Sequence, residues 1–448
     1  MIIRFSIFTA LLFGYINALS LKEGFIKSLQ NDPNVLVRQN ELNKIKYDID
    51  KARGLFYPTI DLEARAYNQR TSTDSYRPEN GSLQRNDEYV VRLEQPIYKG
   101  FETINENRIQ NARYESAEYY LKEEQNSLAL RYVQNYLNVL KSSDLLNLST
   151  ESYNMSEDIF KKTSRKVEMG YGTKLEYERA KGNLEESSVN LSIDKLSLQD
   201  SIQYLYDNIQ EEVKETDLIK EDFNYTLPKT QDKALNFALV NHPSMFVSVI
   251  NIDIAKFEQK KELKSFHPEL NLEAKYNLND GSYRETNAKP NNQYEIGLKL
   301  VYNLYNGGKD LANNRKMKET IKEKSILLDQ TKKDIKNALA LSWNSYILNQ
   351  EKLKRLENFV KTREAVLDAT YQEFGLGTRD LGSVVDAHLD YISTKRNYIS
   401  TKYDLLLAHY RVLYSIGILS DVLLEHMDNT LFANEFSNMN EIFTKNIK

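Results

Sequence analysis

Residues 267–278 read HPELNLEAKYNL, and residues 57–68 read YPTIDLEARAYN. In the first stretch Leu270, Leu272, Ala274, Tyr276 and Leu278 alternate with Asn271, Glu273, Lys275 and Asn277. In the second, Ile60, Leu62, Ala64 and Ala66 alternate with Asp61, Glu63, Arg65 and Tyr67. A period of two sends successive side chains to opposite faces, so each stretch predicts a β-strand with one apolar and one charged face. Each has a partner downstream. Tyr294, Ile296, Leu298, Leu300 and Tyr302 alternate with Glu295, Gly297, Lys299 and Val301, and Tyr89, Val91 and Leu93 alternate with Val90, Arg92 and Glu94. Four such strands leave two readings open. In one, a sheet packs its apolar face on helices and its charges face water. In the other, a porin-like wall turns its apolar face to lipid and its charges to a lumen. The runs have the length that a tilted strand needs to cross an outer membrane. A wall with open edges cannot exist in lipid, so one chain of four strands would need partners to close it.

Working outward, the whole chain is written twice. Asn31-Asp32-Pro33 returns as Asn241-His242-Pro243, and Leu62-Glu63-Ala64-Arg65 as Leu272-Glu273-Ala274-Lys275, both at an offset of 210. Ile97-Tyr98-Lys99-Gly100 matches Leu304-Tyr305-Asn306-Gly307 at 207. Gly170-Tyr171-Gly172-Thr173-Lys174 matches Gly375-Leu376-Gly377-Thr378-Arg379 at 205. The reading is a first repeat over 21–230, a second over 231–421, and a polar tail over 422–448. Each repeat runs helix, strand, loop, strand, long helix, tight break, helix. The loops are placed at Asn68–Asp87 and Asn279–Asn292, rich in Ser, Thr, Asn and Glu.

The helix breakers are unevenly spread. No proline occurs between Pro96 and Pro228 or after Pro290, and no glycine between Gly100 and Gly170 or between Gly308 and Gly375. Uninterrupted helices are therefore expected over Phe101–Met169 and Lys309–Phe374, each about 100 Å long at ~1.5 Å per residue. Leading helices at Leu21–Arg53 and Lys233–Lys264 come to about 50 Å, and returning helices at Thr173–Gln210 and Thr378–Ser420 to about 60 Å. Stacked end to end, a leading and a returning helix match one long helix. Apolar stripes at steps of three and four (Val133, Tyr136, Leu137, Leu140; Leu353, Leu356, Phe359, Val360; Tyr403, Leu406, Leu407, Tyr410, Leu413) predict lateral helix packing. An extended coiled-coil rod and a wall with water on both sides fit them equally.

The 448 residues carry 60 Lys+Arg against 64 Asp+Glu, a formal charge of −4, which argues against a nucleic-acid binder. There is no cysteine, so disulfides, thiol nucleophiles and thiolate metal sites are excluded. The five histidines, His242, His267, His388, His409 and His426, show no metal-ligand spacing. The Gly-x-Gly pairs at 170 and 375 lack the third glycine and the preceding strand of a phosphate loop. Trp343 reads as core packing beside Tyr346 and Ile347. No catalysis and no cofactor are expected. The first 20 residues read as an export signal: Arg4, an apolar run from Phe5 to Tyr15, then small residues at Ala18 and Ser20, after either of which cleavage fits.

Taken together, these features resemble the TolC family of outer-membrane channel-tunnels, the exit ducts of efflux pumps and type I secretion systems. The resemblance spans about Leu21 to Asp421. It rests on the duplication, on Leu21-x-x-x-Phe25 with Asn31 and Pro33, and on the Tyr/His-Pro before an alternating strand. Gln95-Pro96-Ile97-Tyr98-Lys99-Gly100, Tyr302-Asn303-Leu304-Tyr305-Asn306-Gly307-Gly308, and Gly377-Thr378-Arg379 with Asp386-Ala387 complete it. It implies a mixed α/β membrane protein: a homotrimer in which four transmembrane strands per chain build one twelve-stranded barrel in outer-membrane lipid, above a periplasmic α-barrel. It implies as partners a periplasmic adaptor (membrane fusion) protein and an inner-membrane transporter, either a resistance-nodulation-division pump or an ABC exporter. The turns Gly170, Gly172, Thr173 and Gly375, Gly377, Thr378 would meet the adaptor, and Glu273, Lys275, Glu295 and Lys299 would face the pore. The family narrows its entrance with an acidic ring: Gly-Thr-Arg followed by two aspartates three residues apart. Here Asp386 matches the second and Ser383 stands where the first would be, so the expected aperture set is Arg379, Ser383 and Asp386. Asn303 replaces a proline at the second strand-to-helix join. Efflux is the expected role, with type I protein secretion or a periplasmic coiled-coil adaptor as alternatives.

Overall fold

The computed structural model describes residues 19–69, 84–220, 225, 227–281 and 292–424. Residues 1–18, where the export signal is expected, and those beyond 424 lie outside the described residues. The elements are α1 (Leu21–Asn31), α2 (Pro33–Gly54), β1 (Thr59–Gln69), β2 (Gln84–Lys99), α3 (Glu102–Glu168), α4 (Lys174–Ile209), α5 (Gln231–Asn241), α6 (Pro243–Glu262), β3 (Glu269–Gly281), β4 (Gln293–Val301), α7 (Lys309–Gly375), α8 (Leu381–Ser415) and α9 (Leu419–Leu423). The order helix–helix–strand–strand–helix–helix occurs twice. It is a mostly helical fold with one four-stranded antiparallel sheet, ordered β1-β2-β3-β4.

Four details differ from the sequence reading. Each leading helix is two helices. Asp32 and His242, the residues before Pro33 and Pro243, take extended ψ of 120° and 129°, because a proline ring disfavours helical backbone in the residue ahead of it. The strands run further into the connecting segments than expected, to Gln69 and from Gln84, and to Gly281; the rest of both connections lies outside the described residues. The last helix ends at Ser415, where Gly417 at φ +86° turns the chain into α9. Trp343 is half-buried and not core, stacked edge-on against Tyr346 at 5.9 Å.

The offset between repeats is also steadier than the motifs suggest. Both long helices have 67 residues. The positive-φ glycines at the strand-to-helix joins, Gly100 and Gly307, are 207 residues apart, and so are those after the long helices, Gly170 and Gly377. The helix-capping residues Thr173 and Asp380 keep the same spacing. The Gly-x-Gly-Thr match at 205 therefore pairs residues that do different structural jobs: Gly170 does the work of Gly377, and Thr173 that of Asp380.

By contacts the chain forms two units, each drawing on both repeats. One comprises the described parts of 1–37, 122–243 and 332–448. Its core holds Phe25, Leu128, Tyr132, Tyr136, Leu205, Phe237, Val412 and Leu413, all at 2% exposure or less. Gly24 is a contact point there, since a Cβ on it would stand 2.0 Å from the Tyr132 hydroxyl. The other unit, 38–121 and 244–331, contains the whole sheet and a thinner core that includes Leu42, Ile49, Ile109, Val247 and Ile250. Tyr119 and Phe246 stack in it at 4.5 Å.

Candidate functional site: a two-faced sheet and two helix turns

The register puts the strand residues on definite faces. Leu272 pairs with Leu298, Ala274 with Ile296, Leu270 with Leu300 and Tyr276 with Tyr294. Across the other ladders Ile60 pairs with Leu93, Leu62 with Val91, Val91 with Tyr276, and Leu93 with Ala274. Directly paired residues share a face, so these side chains form one apolar surface. The opposite face carries Asp61 beside Arg92, Arg92 beside Lys275, and Lys275 beside Glu295. Glu273 and Lys299 are on it too, joined by a 3.0 Å ion pair. The four pore candidates Glu273, Lys275, Glu295 and Lys299 are thus together on one face.

What covers the apolar face separates the two readings of the strands. Ile60, Leu62, Ile296, Leu298 and Leu300 are all about two-thirds exposed or more, so no helix among the described residues lies over them. Every residue of β4 is exposed. Burial of apolar surface stabilises by about 25 cal/mol per Å², and here that contribution is not drawn from the rest of the chain. At the helix ends of the strands more apolar groups gather: Phe56, Tyr57, Ile97, Phe101, Tyr302, Leu304 and Tyr305 are all at least 46% exposed. Tyr98 donates to or accepts from His267 Nδ1 at 3.1 Å and meets Phe101 edge-on at 5.5 Å. That packing holds Phe101 at φ +64°, a left-handed conformation uncommon for a bulky residue. No sequence signal points to it.

The two turns are built alike. After α3, the amide of Gly170 donates to Val167 O and those of Tyr171 and Gly172 to Lys166 O. Gly170 supplies the positive φ, +77°, that such a helix end requires. Thr173 then caps α4 through a reciprocal exchange with Glu176. After α7, Gly377 at φ +79° does the same, the Thr378 amide and hydroxyl both donate to Glu373 O, and Asp380 caps α8. The turns project Met169, Tyr171 and Leu376, exposed by 63%, 85% and 80%.

Of the aperture candidates, Asp386 is exposed and makes no hydrogen bond or ion pair among the described residues. It lies six residues beyond the cap, about 9 Å along the helix. Ser383 has a local duty. Its amide and hydroxyl donate to Asp380 at 3.0 and 2.7 Å, and these bonds hold the Asp380 carboxyl below its ordinary range. Arg379 donates to Glu373 at 2.6 Å, so its charge is paired on the surface.

Sequence reasoning misses several polar ties. Arg396 of α8 makes a bidentate pair with Asp194 of α4 at 3.0 and 2.6 Å and also donates to Ser149 of α3 at 2.8 Å; Ser149 donates to Asp194. Asp194 and Ser149 are buried. Nearer the turns, Tyr371 of α7 donates to Asp158 of α3, and Lys162 contacts Tyr371 and Asp158 at 2.6 and 2.8 Å. The bonds from Lys162 and Tyr371 lower the Asp158 carboxyl, and the bond to Asp158 raises the Lys162 ammonium.

His388, 1% exposed, places Nε2 3.3 Å from Ser152 Oγ, and burial pushes its pKa down to about 4. The unfolded chain binds a proton at about 6.5 that the folded chain refuses until about pH 4. Stability from this residue is therefore fully present above pH 6.5 and lost as pH falls toward 4, by up to about 3 kcal/mol. Thermal melts at about pH 7.5 and about pH 5 should show this fall, and His388→Gln should make it shallower while leaving the share of His242, which burial also pushes down to about 4. An unchanged slope in the variant would refute the assignment.

Among the described residues no group of three or more acidic or imidazole side chains could hold a metal, and no single helix is long and apolar enough to cross a membrane. An uncovered apolar sheet face, four strands and two 67-residue helices occur together in this duplicated chain. The family model for outer membrane efflux proteins matches residues 26–208 and 234–417, one match in each repeat. The chain belongs to this family of TolC-type channel-tunnels, outer-membrane transport ducts with a long periplasmic portion. The alkaline protease secretion protein AprF of Pseudomonas aeruginosa is 22% identical over 420 residues, 91% of this chain and 86% of that one. Outer membrane protein TolC of Vibrio cholerae is 21% identical over 409 residues, 90% and 91% of the two chains. The crystal structure of the CmeC outer membrane channel of Campylobacter jejuni shares the fold with a TM-score of 0.77 at 14% identity, covering 95% of this chain and 88% of that one.

Proposed function

We propose that three copies of this chain assemble into one duct, with the twelve strands closing a barrel in the outer membrane. The observation that carries this reading is the sheet itself. Its apolar face is bare, which lipid accommodates and water does not, and its edges β1 and β4 are open, which lipid does not tolerate until neighbouring chains pair them. The helices support it. On α7, Leu341, Leu348, Phe359 and Val366 recur at steps of seven and eleven and stay 44–72% exposed, and on α4 Val189, Ile193, Leu196 and Tyr204, at steps of four, three and eight, are 55–62% exposed. These are coiled-coil spacings with no partner helix among the described residues. In this assembly the apolar strand face meets lipid, and Glu273, Lys275, Glu295 and Lys299 line the pore. The turns at Gly170–Thr173 and Gly375–Thr378 lie at the periplasmic entrance and meet a membrane fusion adaptor. The repeats are 21–230 and 231–421, preceded by a cleaved signal and followed by a tail over 422–448.

The cargo reading is efflux, with an inner-membrane pump of the resistance-nodulation-division type supplying energy. A second reading, type I protein secretion with an ABC exporter, is favoured by the similarity to a protease secretion protein over nine-tenths of this chain. A free periplasmic adaptor would have no use for the strand pairs. The test of the entrance is single-channel current in a planar bilayer with di- or trivalent cations added on the periplasmic side. Three copies of Asp386 around one axis concentrate negative potential, and Ser383 adds no second ring. Weak block in the wild type that disappears in Asp386→Asn is expected. Identical block in both would remove Asp386 from the constriction.

A further inference from the structure

We infer that the export signal is removed between Ala18 and Leu19, so that the mature chain begins at Leu19. The inference rests on reading the N-terminal segment as a signal, and it selects between two cuts that the sequence leaves open. By the small-x-small pattern alone, a cut after Ser20 looks better: it has Ala18 at the third position before the bond, whereas a cut after Ala18 has Ile16 there. The fold reverses that preference.

Leu19 and Ser20 are built into the structure. The Leu19 amide donates to Asp217 O at 2.6 Å, its carbonyl accepts from the Ile219 amide at 3.3 Å, and the two segments form a parallel bridge at Leu19 and Leu218. The Tyr136 hydroxyl sits between two carbonyls, 3.0 Å from Leu19 O and 2.7 Å from Ile219 O. The Leu19 side chain is 6% exposed and Leu218 7%. Ser20 caps α1: its hydroxyl accepts from the Glu23 amide at 3.2 Å, and the Glu23 carboxylate accepts from the Ser20 amide at 3.2 Å.

The two cuts have different consequences for these groups. Cleavage after Ala18 leaves them all in place; the Leu19 nitrogen becomes an ammonium and still donates to Asp217 O. Cleavage after Ser20 would remove the bridge, the buried leucine and the whole capping box. It would also put a positive charge on Leu21, the first helical residue, where the helix dipole opposes it.

The experiment is N-terminal sequencing with intact-mass measurement of the full-length protein purified from outer membranes. Leu19 as first residue is the expected result, and Leu21 as first residue would overturn the inference. A chain still beginning at Met1 would overturn the signal reading as well, which distinguishes the two failures. A second variant makes the same choice from the other side. Ser20→Tyr places a bulky residue before the alternative bond; processing to a chain beginning at Leu19 should persist, and an accumulated precursor would contradict the cut after Ala18.

Discussion

Asp194→Ala is expected to lower the stability of the helical unit by about 3 kcal/mol. The carboxylate is buried and accepts two hydrogen bonds from Arg396 and one from Ser149. Removing it strands a guanidinium whose remaining partner is a hydroxyl, and breaking a buried pair from one side costs roughly 3–5 kcal/mol. Arg396 keeps a third of its side chain exposed, and water reaching that side places the effect at the low end. The measurement is thermal unfolding in detergent of Asp194→Ala, Arg396→Ala and the double variant. A double variant less than additively destabilised would show the coupling. The pair Asp194→Leu with Arg396→Met should recover much of the loss, since apolar side chains of similar size need no partner. A single-variant effect below about 0.5 kcal/mol would mean that the tie is an ordinary solvated pair.

Leu298→Arg is expected to cost about 2–4 kcal/mol if Leu298 sits near mid-membrane, whereas Lys299→Gln should leave folding intact and change conductance. The two residues are adjacent in sequence and on opposite faces, since Leu298 pairs with Leu272 and Lys299 with Asn271. A charge on the lipid side has no hydration to replace what it loses, while one on the lumen side stays in water. Outer-membrane yield and unfolding of the two variants give the first quantity, and bilayer conductance the second. Equal loss of folded protein in both would refute the assigned faces.

These faces are legible in the sequence because strand periodicity is local: Leu270 to Leu278 states its two sides in nine residues. The helix lengths are legible for a similar reason, through the absence of glycine and proline. The Arg396–Asp194 tie is not. The two residues are 202 positions apart, and in the sequence each is one more charge on a polar helix. For His388 the spacing says only that it shares no face with Asp386; its burial depends on which side of α8 meets α3. Ser383 reads as a lost acid, whereas its position three residues after Asp380 makes it the partner of a helix cap. The turn motifs mislead by two residues because Gly-x-Gly-Thr occurs in both turns at different distances from the helix end. Pro33 and Pro243 are plain in the sequence, but the apolar pattern continues across them, and only the backbone shows that the helix does not.

The four strands of one chain, with both edges open, are an incomplete wall. Native mass spectrometry of protein extracted from outer membranes into detergent tests it most directly. A particle of three chains that resists dissociation until heated is expected. A stable, membrane-inserted single chain would contradict it.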